Sequence, residues 1–225
     1  MGKKEIVLAI PDLHAPYHNA RAIPFIQYCI KQFNPTKIVC LGDEVDQHGL
    51  STFPKETALY SPGHEYEAAM EFMQKLYKVI PEAQVCESNH TARPYRIAKA
   101  AGLPSVYLKA YKEIMQSPPG WSWHDRIEID GVVYEHGENC GSGRNAAFTA
   151  AFQNRKSTVI GHIHSFGGVQ YSANHYNQIF WANAGCLIDP ESLAFAYGNK
   201  YRNKSTLGAV VVDSGRGAHF VRLDF

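Results

Sequence analysis

Five consecutive apolar residues, Ile6 to Ile10, stop at Pro11-Asp12. A short unbroken apolar run closed by a turn former is the pattern of a strand buried on both faces. Over Ala20–Phe33 the apolar positions Ile23, Ile26, Ile30 and Phe33 recur at helical spacing. Lys37–Leu41 reads as a second buried strand, ending in Gly42-Asp43. Residues 48–63 mix turn formers with aromatics and read as a loop. Helical spacing returns over Glu65–Val79 through Met70, Met73, Leu76 and Tyr77, and Gln84–Cys86 is a third short strand.

Two helical stretches follow, Pro94–Ala101 and Val106–Met115, parted by Gly102 and Pro104. The texture then changes. Trp121–Ile129 and Val132–Glu135 alternate on either side of Asp130-Gly131, a strong hairpin signal. A helix near Arg144–Asn154 leads to the strand Thr158–Ile160, and Gln178–Trp181, Gly208–Val212 and Ala218–Leu223 are the clearest later strands. Alternating strands and helices followed by strands predict an α/β layered sandwich. No repeat, low-complexity tract or linker divides residues 1–225, so a single domain is expected.

Composition narrows the function class. With 22 Lys+Arg against 21 Asp+Glu in 225 residues the net charge is +1. That lacks the basic excess of a protein held to nucleic acid by phosphate neutralisation. The five cysteines (29, 40, 86, 140 and 186) are odd in number and never paired as C-x-x-C, which argues for buried free thiols over a disulfide framework or zinc knuckle. The apolar run after Lys3-Lys4 is too short for a signal peptide, and no segment nears the roughly 18 apolar residues of a membrane span. A cytoplasmic chain with no membrane partner is the expectation.

Eleven histidines are the unusual entry in that composition, and several fall at strand ends. Asp12-Leu13-His14 follows the first strand, Asp43 and Asp46 the second, and Asn89-His90 the third. His136 closes the hairpin strand, and His162-Ile163-His164 follows Thr158–Ile160. Open α/β sheets gather their ligands at the carboxyl ends of strands. Each piece alone is ordinary: Asp12 can be a turn residue, and His136 a structural histidine. His162-x-His164 says more, because alternate residues of an extended chain share a face. Five such pieces, each at a strand end, point to one polar rim.

In this order the pieces resemble the calcineurin-like metallophosphoesterases. That family's signature is D-x-H, G-D-x-x-D, G-N-H-[DE], a His followed by Gly, and G-H-x-H. Here the matches are Asp12-Leu13-His14, Gly42-Asp43-Glu44-Val45-Asp46, Ser88-Asn89-His90-Thr91, His136-Gly137 and Gly161-His162-Ile163-His164. The resemblance implies an α/β/β/α sandwich and two divalent metal ions bridged by Asp43. Asp12, His14 and His164 complete one site, and Asn89, His136 and His162 the other. Mixed imidazole and carboxylate ligands suit Mn, with Fe, Zn or Ni as alternatives. A metal-bridging hydroxide would hydrolyse a phosphodiester or phosphomonoester. By the same resemblance His90 is the general acid for the leaving oxygen and Asp46 the carboxylate that orients and charges it.

Three positions depart from the signature. Ser88 replaces Gly, Thr91 replaces an acid, and Gln47 stands where the Ser/Thr protein phosphatases carry Arg. Protein phosphatase activity is demoted accordingly. Arg93, Arg144 and His48 are the candidate substrate-binding residues, the two arginines each beside an expected helix start. Trp121, Trp123 and the Tyr107–Tyr111 and Tyr197–Tyr201 segments can stack on a base, although core packing is the simpler reading. The expected partner is a phosphate-ester substrate, with nucleic acid admitted only as substrate. Two alternatives remain: a fold-retaining binding module, and a nuclease acting on single-stranded nucleic acid.

Overall fold

The strand β1 (Ile6–Ile10) buries both of its faces, and its alternation explains the layering. Leu8 and Ile10 pack with Phe25 and Ile26 of α1 (Ala22–Phe33) and with Met73 and Leu76 of α2 (Pro62–Val79). Val7 and Ala9 face the other way, onto Tyr134, Val159 and Phe180. A third cluster sets Ala146, Ala147 and Ala150 of α5 (Ala146–Asn154) against Ile160. The order is helix, sheet, sheet, helix. The computed structural model describes residues 4–52, 58–195 and 202–224.

The first sheet contains β2 (Lys37–Cys40), β3 (Ala83–Cys86), β4 (Trp121–His124), β10 (Gly208–Asp213) and β11 (Gly217–Arg222) along with β1, in the order β11-β10-β1-β2-β3-β4. Strands β1 to β4 run parallel, while β10 pairs antiparallel with both neighbours. The second sheet is built from β5 (Ile127–Ile129), β6 (Val132–Glu135), β7 (Ser157–Ile160), β8 (Gly167–Ala173) and β9 (Gln178–Ala184), in the order β5-β6-β7-β9-β8. Its strands β6, β7 and β9 are parallel, with antiparallel β5 and β8 at the edges.

Most expected elements are present, and the differences have local causes. The run Trp121–Ile129 is two strands in different sheets. Trp121 is fully buried, its ring on Tyr77 and its indole N–H donating to the Ile80 carbonyl at 2.8 Å. Ile127 instead enters the layer between the sheets. The Asp130-Gly131 hairpin forms as expected, with φ of 50° and 78° pairing Ile129 with Val132. Helix α2 starts three residues early because Ser61 caps it and Pro62 opens its first turn. The helix expected over Pro94–Ala101 forms as α3 (Arg93–Ala100), whereas that expected over Val106–Met115 shrinks to a 3₁₀ turn at Ser105–Tyr107 and a single turn, α4 (Tyr111–Ile114). Val106 and Tyr107 are 82% and 74% exposed, so they pack on nothing that would support a longer helix. Strand β8 alternates Val169, Tyr171 and Ala173 with Gln170 and Ser172 and lies at a sheet edge, its last four residues exposed.

All five cysteines are buried free thiols. Among the described residues no helix is long and apolar enough to cross a membrane.

Candidate metal centre

Parallel β1, β2 and β3 and parallel β6 and β7 bring five loops to one rim. Those loops turn sharply. His14, Asp43 and His162 take left-handed φ values of 50°, 48° and 63°, which non-glycine residues adopt rarely and at some cost. The turns are stitched together: the Leu13 and His14 N–H groups both donate to the Asp43 carbonyl, at 3.1 and 2.8 Å. The His162 N–H donates to both Asp12 carboxylate oxygens at 3.0 Å. That approach requires Gly161, since a Cβ there would lie 2.4 Å from Asp12 Oδ1.

The side chains converge. His164 Nε2 is 3.0 Å from Asp12 Oδ2 and 3.2 Å from His14 Nε2. His136 Nε2 is 2.9 Å from Asn89 Oδ1 and 3.1 Å from His162 Nδ1. Between the two groups, Asp43 Oδ2 stands 3.4 Å from His14 Nε2 and 3.4 Å from His136 Nε2. Three sets can each hold an ion: Asp12, His14 and His164; Asp43, His136 and His162; and His14, Asp43 and His90. The spacings fit, because ligands about 2.1 Å from a cation stand about 3.0–3.4 Å from one another. Imidazole nitrogens aimed at each other also call for a proton or a cation between them.

Second contacts select the ring tautomers. His14 Nδ1 lies 2.7 Å from Asp46 Oδ2, and His136 Nδ1 is 2.8 Å from the Leu41 carbonyl. Both partners only accept, so each Nδ1 carries the hydrogen and each Nε2 faces the cluster, as a metal-binding imidazole requires.

Electrostatics favour added positive charge. Burial works against ionised Asp12, yet hydrogen bonds from His14 and His164 outweigh it and hold that carboxyl well below its usual range. Asp43 is likewise lowered, His136, His90 and His14 overcoming its burial. Burial opposes the charged form of His14, but Asp12, Asp46 and Asp43 raise it to about 10. Asp43 and Asp12 similarly raise buried His136 to about 9. Protons on these two rings compensate the buried carboxylates.

Along nearly its whole length the chain is similar to vacuolar protein sorting 29 from Cryptosporidium parvum. The TM-score is 0.50 at 12% identity, covering 99% of this chain and 93% of that one. A metallophosphoesterase from Sphaerobacter thermophilus aligns at a TM-score of 0.46 and 15% identity, over 98% of this chain and 89% of that one. The chain therefore shares the overall fold of vacuolar protein sorting 29. YfcE, a phosphoesterase from E. coli, aligns at 0.45 and 14% identity, over 97% and 100% of the two chains. At these identities the likeness is one of fold. No protein-family model and no curated protein matches the sequence.

Within the cluster one expected contact is replaced by another. The Asp46 carboxylate meets His14, not His90, and it is the Asp46 backbone carbonyl that accepts from His90 Nδ1. Arg93 reaches the same carbonyl with Nη1 at 2.7 Å and places Nη2 2.9 Å from His90 Nε2. The expectation of a His90 imidazolium favoured by Asp46 is therefore corrected. Burial outweighs Asp43 and Asp46, and lowers His90 to about 3. The physical reason is burial: the Asp46 carboxylate bonds His14, and its charge alone does not offset the desolvation of the His90 ring.

The remaining candidates separate. His48 lies on the 3₁₀ turn His48–Leu50, its ring edge-on to Tyr17. Arg144 is exposed on the 3₁₀ turn Gly143–Asn145, and among the described residues no hydrogen bond or ion pair joins it to the cluster. Trp121 packs in the core, and Tyr197–Tyr201 lie outside the described residues. Glu65 was missed by the motif reading. Its buried carboxylate accepts the His48 and Gly49 N–H groups at 2.6 and 2.7 Å, anchoring the turn after Asp46. The legible signal was a carboxylate on the inward stripe Glu65–Ala69–Met73 of α2.

Proposed function

We propose that this chain is a dinuclear metal-dependent phosphoesterase, acting on phosphodiester or phosphomonoester bonds. The observation that carries the reading is Asp43 Oδ2 midway between the two imidazole groups, 3.4 Å from each of His14 Nε2 and His136 Nε2. Asp12, His14 and His164 would hold one ion, Asn89, His136 and His162 the other, with Asp43 shared. Two such ions, with Mn the best match to these ligands, supply a hydroxide nucleophile near neutral pH and a clamp on phosphoryl oxygens.

The chain's own groups do the rest. Asp46 and the Leu41 carbonyl hold His14 and His136 with Nε2 aimed inward. His90, with Nδ1–H fixed on the Asp46 carbonyl, keeps Nε2 for the leaving oxygen. The negative charge of a bound phosphoryl group would favour protonation there, adding to Asp43 and Asp46, which burial outweighs. Arg93 Nη2, already at His90 Nε2, would turn to the phosphate.

The test is hydrolysis of aryl phosphodiesters and monoesters with Mn²⁺, with a chelator, and in Asp43→Ala and His90→Ala proteins. Turnover should vanish on chelation and in Asp43→Ala. Turnover indifferent to both would end this reading.

One observation favours a single-stranded nucleic acid as the ester. Residues 88–112, starting beside His90, contain Arg93, Arg96, Lys99, Lys109 and Lys112 and no Asp or Glu. Phosphate contacts from that segment predict cleavage that falls steeply with salt. Activity indifferent to salt and strand length would remove this version.

A further inference from the structure

Two of the three departures from the metallophosphoesterase signature touch each other. Ser88 Oγ and Thr91 Oγ1 are 3.0 Å apart. The Ser88 N–H donates to Thr91 Oγ1 at 3.3 Å, and the Thr91 N–H donates to Ser88 Oγ at 3.2 Å. Ser88 Oγ also accepts the Asp43 N–H at 3.2 Å. Both side chains are buried. The two residues enclosed by this ring, Asn89 and His90, are those whose side chains enter the cluster. Asn89 Oδ1 meets His136 Nε2 at 2.9 Å, and His90 Nε2 is 3.7 Å from Asp43 Oδ2.

We propose that Ser88 and Thr91 form a single clasp that positions Asn89 and His90 and ties their loop to the backbone of Asp43. Neither residue can do this alone. A glycine at 88 has no hydroxyl to accept the Asp43 and Thr91 N–H groups, and it leaves the backbone freer. With Ser88 Oγ accepting two N–H groups, its own hydrogen is left for the side chain at 91, where the neutral Thr91 hydroxyl accepts it without burying the charge of a carboxylate. The reciprocal pattern, side chain to backbone in both directions across three residues, is the arrangement that closes the first turn of many helices. Here it closes a loop at a strand end.

The clasp has fixed surroundings on both sides. Gly42 has φ of 94°, and a Cβ on it would come within 2.8 Å of Ser88 Cβ and 3.0 Å of His136 Nδ1. Ser88 therefore packs directly on the turn that presents Asp43. On the other side Thr91 and Tyr111 line one cavity, and the Tyr111 hydroxyl accepts from Gln47 Nε2 at 3.2 Å. A cavity of about 360 Å³ beyond the clasp is lined by Ser88, Thr91, Tyr95, Arg96, Lys99 and Tyr111. A changed side chain at 91 has room there, so substitutions at this position leave the core intact.

Ser88 and Thr91 are positioning residues under this proposal, and their kinetic consequence rests on the phosphoesterase reading. The experiment compares Ser88→Ala, Thr91→Val, their combination, and Thr91→Ser, which keeps the hydroxyl. In metal-free protein, amide hydrogen exchange at Asp43 and Thr91 should quicken in Ser88→Ala, and at Ser88 in Thr91→Val. Thr91→Ser should exchange like the unaltered chain. In the Mn²⁺-loaded enzyme, kcat should fall by about tenfold or more in either single variant, the size of effect typical of residues that orient metal-binding side chains. KM should hold, and the double variant should be no worse than the singles. Should Ser88→Ala fail to fold, the Thr91→Val and Thr91→Ser pair still decides. Multiplying losses in the double variant, a Thr91→Ser protein as impaired as Thr91→Val, or unchanged exchange would each overturn the clasp. If the unaltered protein cleaves no ester, the functional reading fails while the exchange data still test the clasp.

Discussion

The Asp46 carboxylate stands 2.7 Å from His14 Nδ1, and it does so from a residue thirty-two positions away on another loop. This contact turns His14 Nε2 toward Asp12, Asp43 and His164. Asp46 thus acts on the ligand set, and its link to His90 runs through a backbone carbonyl that any residue at 46 would provide.

Asp46→Ala should therefore weaken metal binding. A loss of about ten- to a hundredfold in affinity for Mn²⁺ is expected by calorimetry, as for other carboxylates that orient a metal-binding histidine. Affinity equal to that of the unaltered protein would show that His14 needs no such partner.

Metal binding should release protons. His14 and His136 are raised to about 10 and about 9 in the metal-free chain, so both carry a proton at pH 7 that a metal must displace. Calorimetry at pH 7 in buffers of different ionisation heat should count about two protons released, and affinity should climb with pH toward 9–10. The stability sign follows as well. Both rings have folded values above the unfolded 6.5, so their stabilisation of the metal-free protein is complete below pH 6.5 and is lost as pH rises through 9 to 10. Urea midpoints of metal-free protein measured from pH 7 to 10 should fall, and those of metal-loaded protein should fall less.

Gly161→Ala should abolish metal binding without unfolding the chain. The added methyl would sit 2.4 Å from Asp12 Oδ1 and 3.2 Å from Leu41 Cβ. The carboxylate must swing away, taking with it the contacts to His164 and to the His162 N–H. Retained metal stoichiometry in a folded Gly161→Ala protein would contradict the close approach.

His18, which is not among the ligand candidates, gives an acid-side effect. Its ring lies 3.7 Å from Phe72, and burial first, then Lys75, lowers it to about 4. The unfolded chain takes up its proton near pH 6.5 and the folded one only near 4, so stability is lost as pH falls through that window. Relative to the unaltered chain, a His18→Gln protein should lose less stability between pH 7 and 4.5 by urea denaturation. Parallel losses in the two proteins would assign the acid sensitivity elsewhere.

Much of this molecule was legible in one dimension because burial writes a period into the sequence. Ile6–Ile10 read as a strand covered on both faces, and Leu8 and Val7 do face different layers. Asp130-Gly131 read as a hairpin because few other dipeptides accept its positive φ values. The convergence of Asp12, Asp43, Asn89, His136 and His164 was legible as well, since parallel strands deliver their carboxyl ends to a common rim. The local pattern carried no information on what lies across the rim. Trp121–Ile129 alternates except at Asp125, and there the chain changes sheets: Trp121 packs with α2, and Ile127 enters the layer between the sheets. The sequence by itself determined the layers, the rim and the residue types gathered there. Only the tertiary structure decided that the Asp46 carboxylate belongs to His14, that Arg93 lies on His90, and that Ser88 closes on Thr91. Hydrogen bonds of about 3 Å depend on side-chain direction, which loops take from packing against distant elements and not from their own spacing.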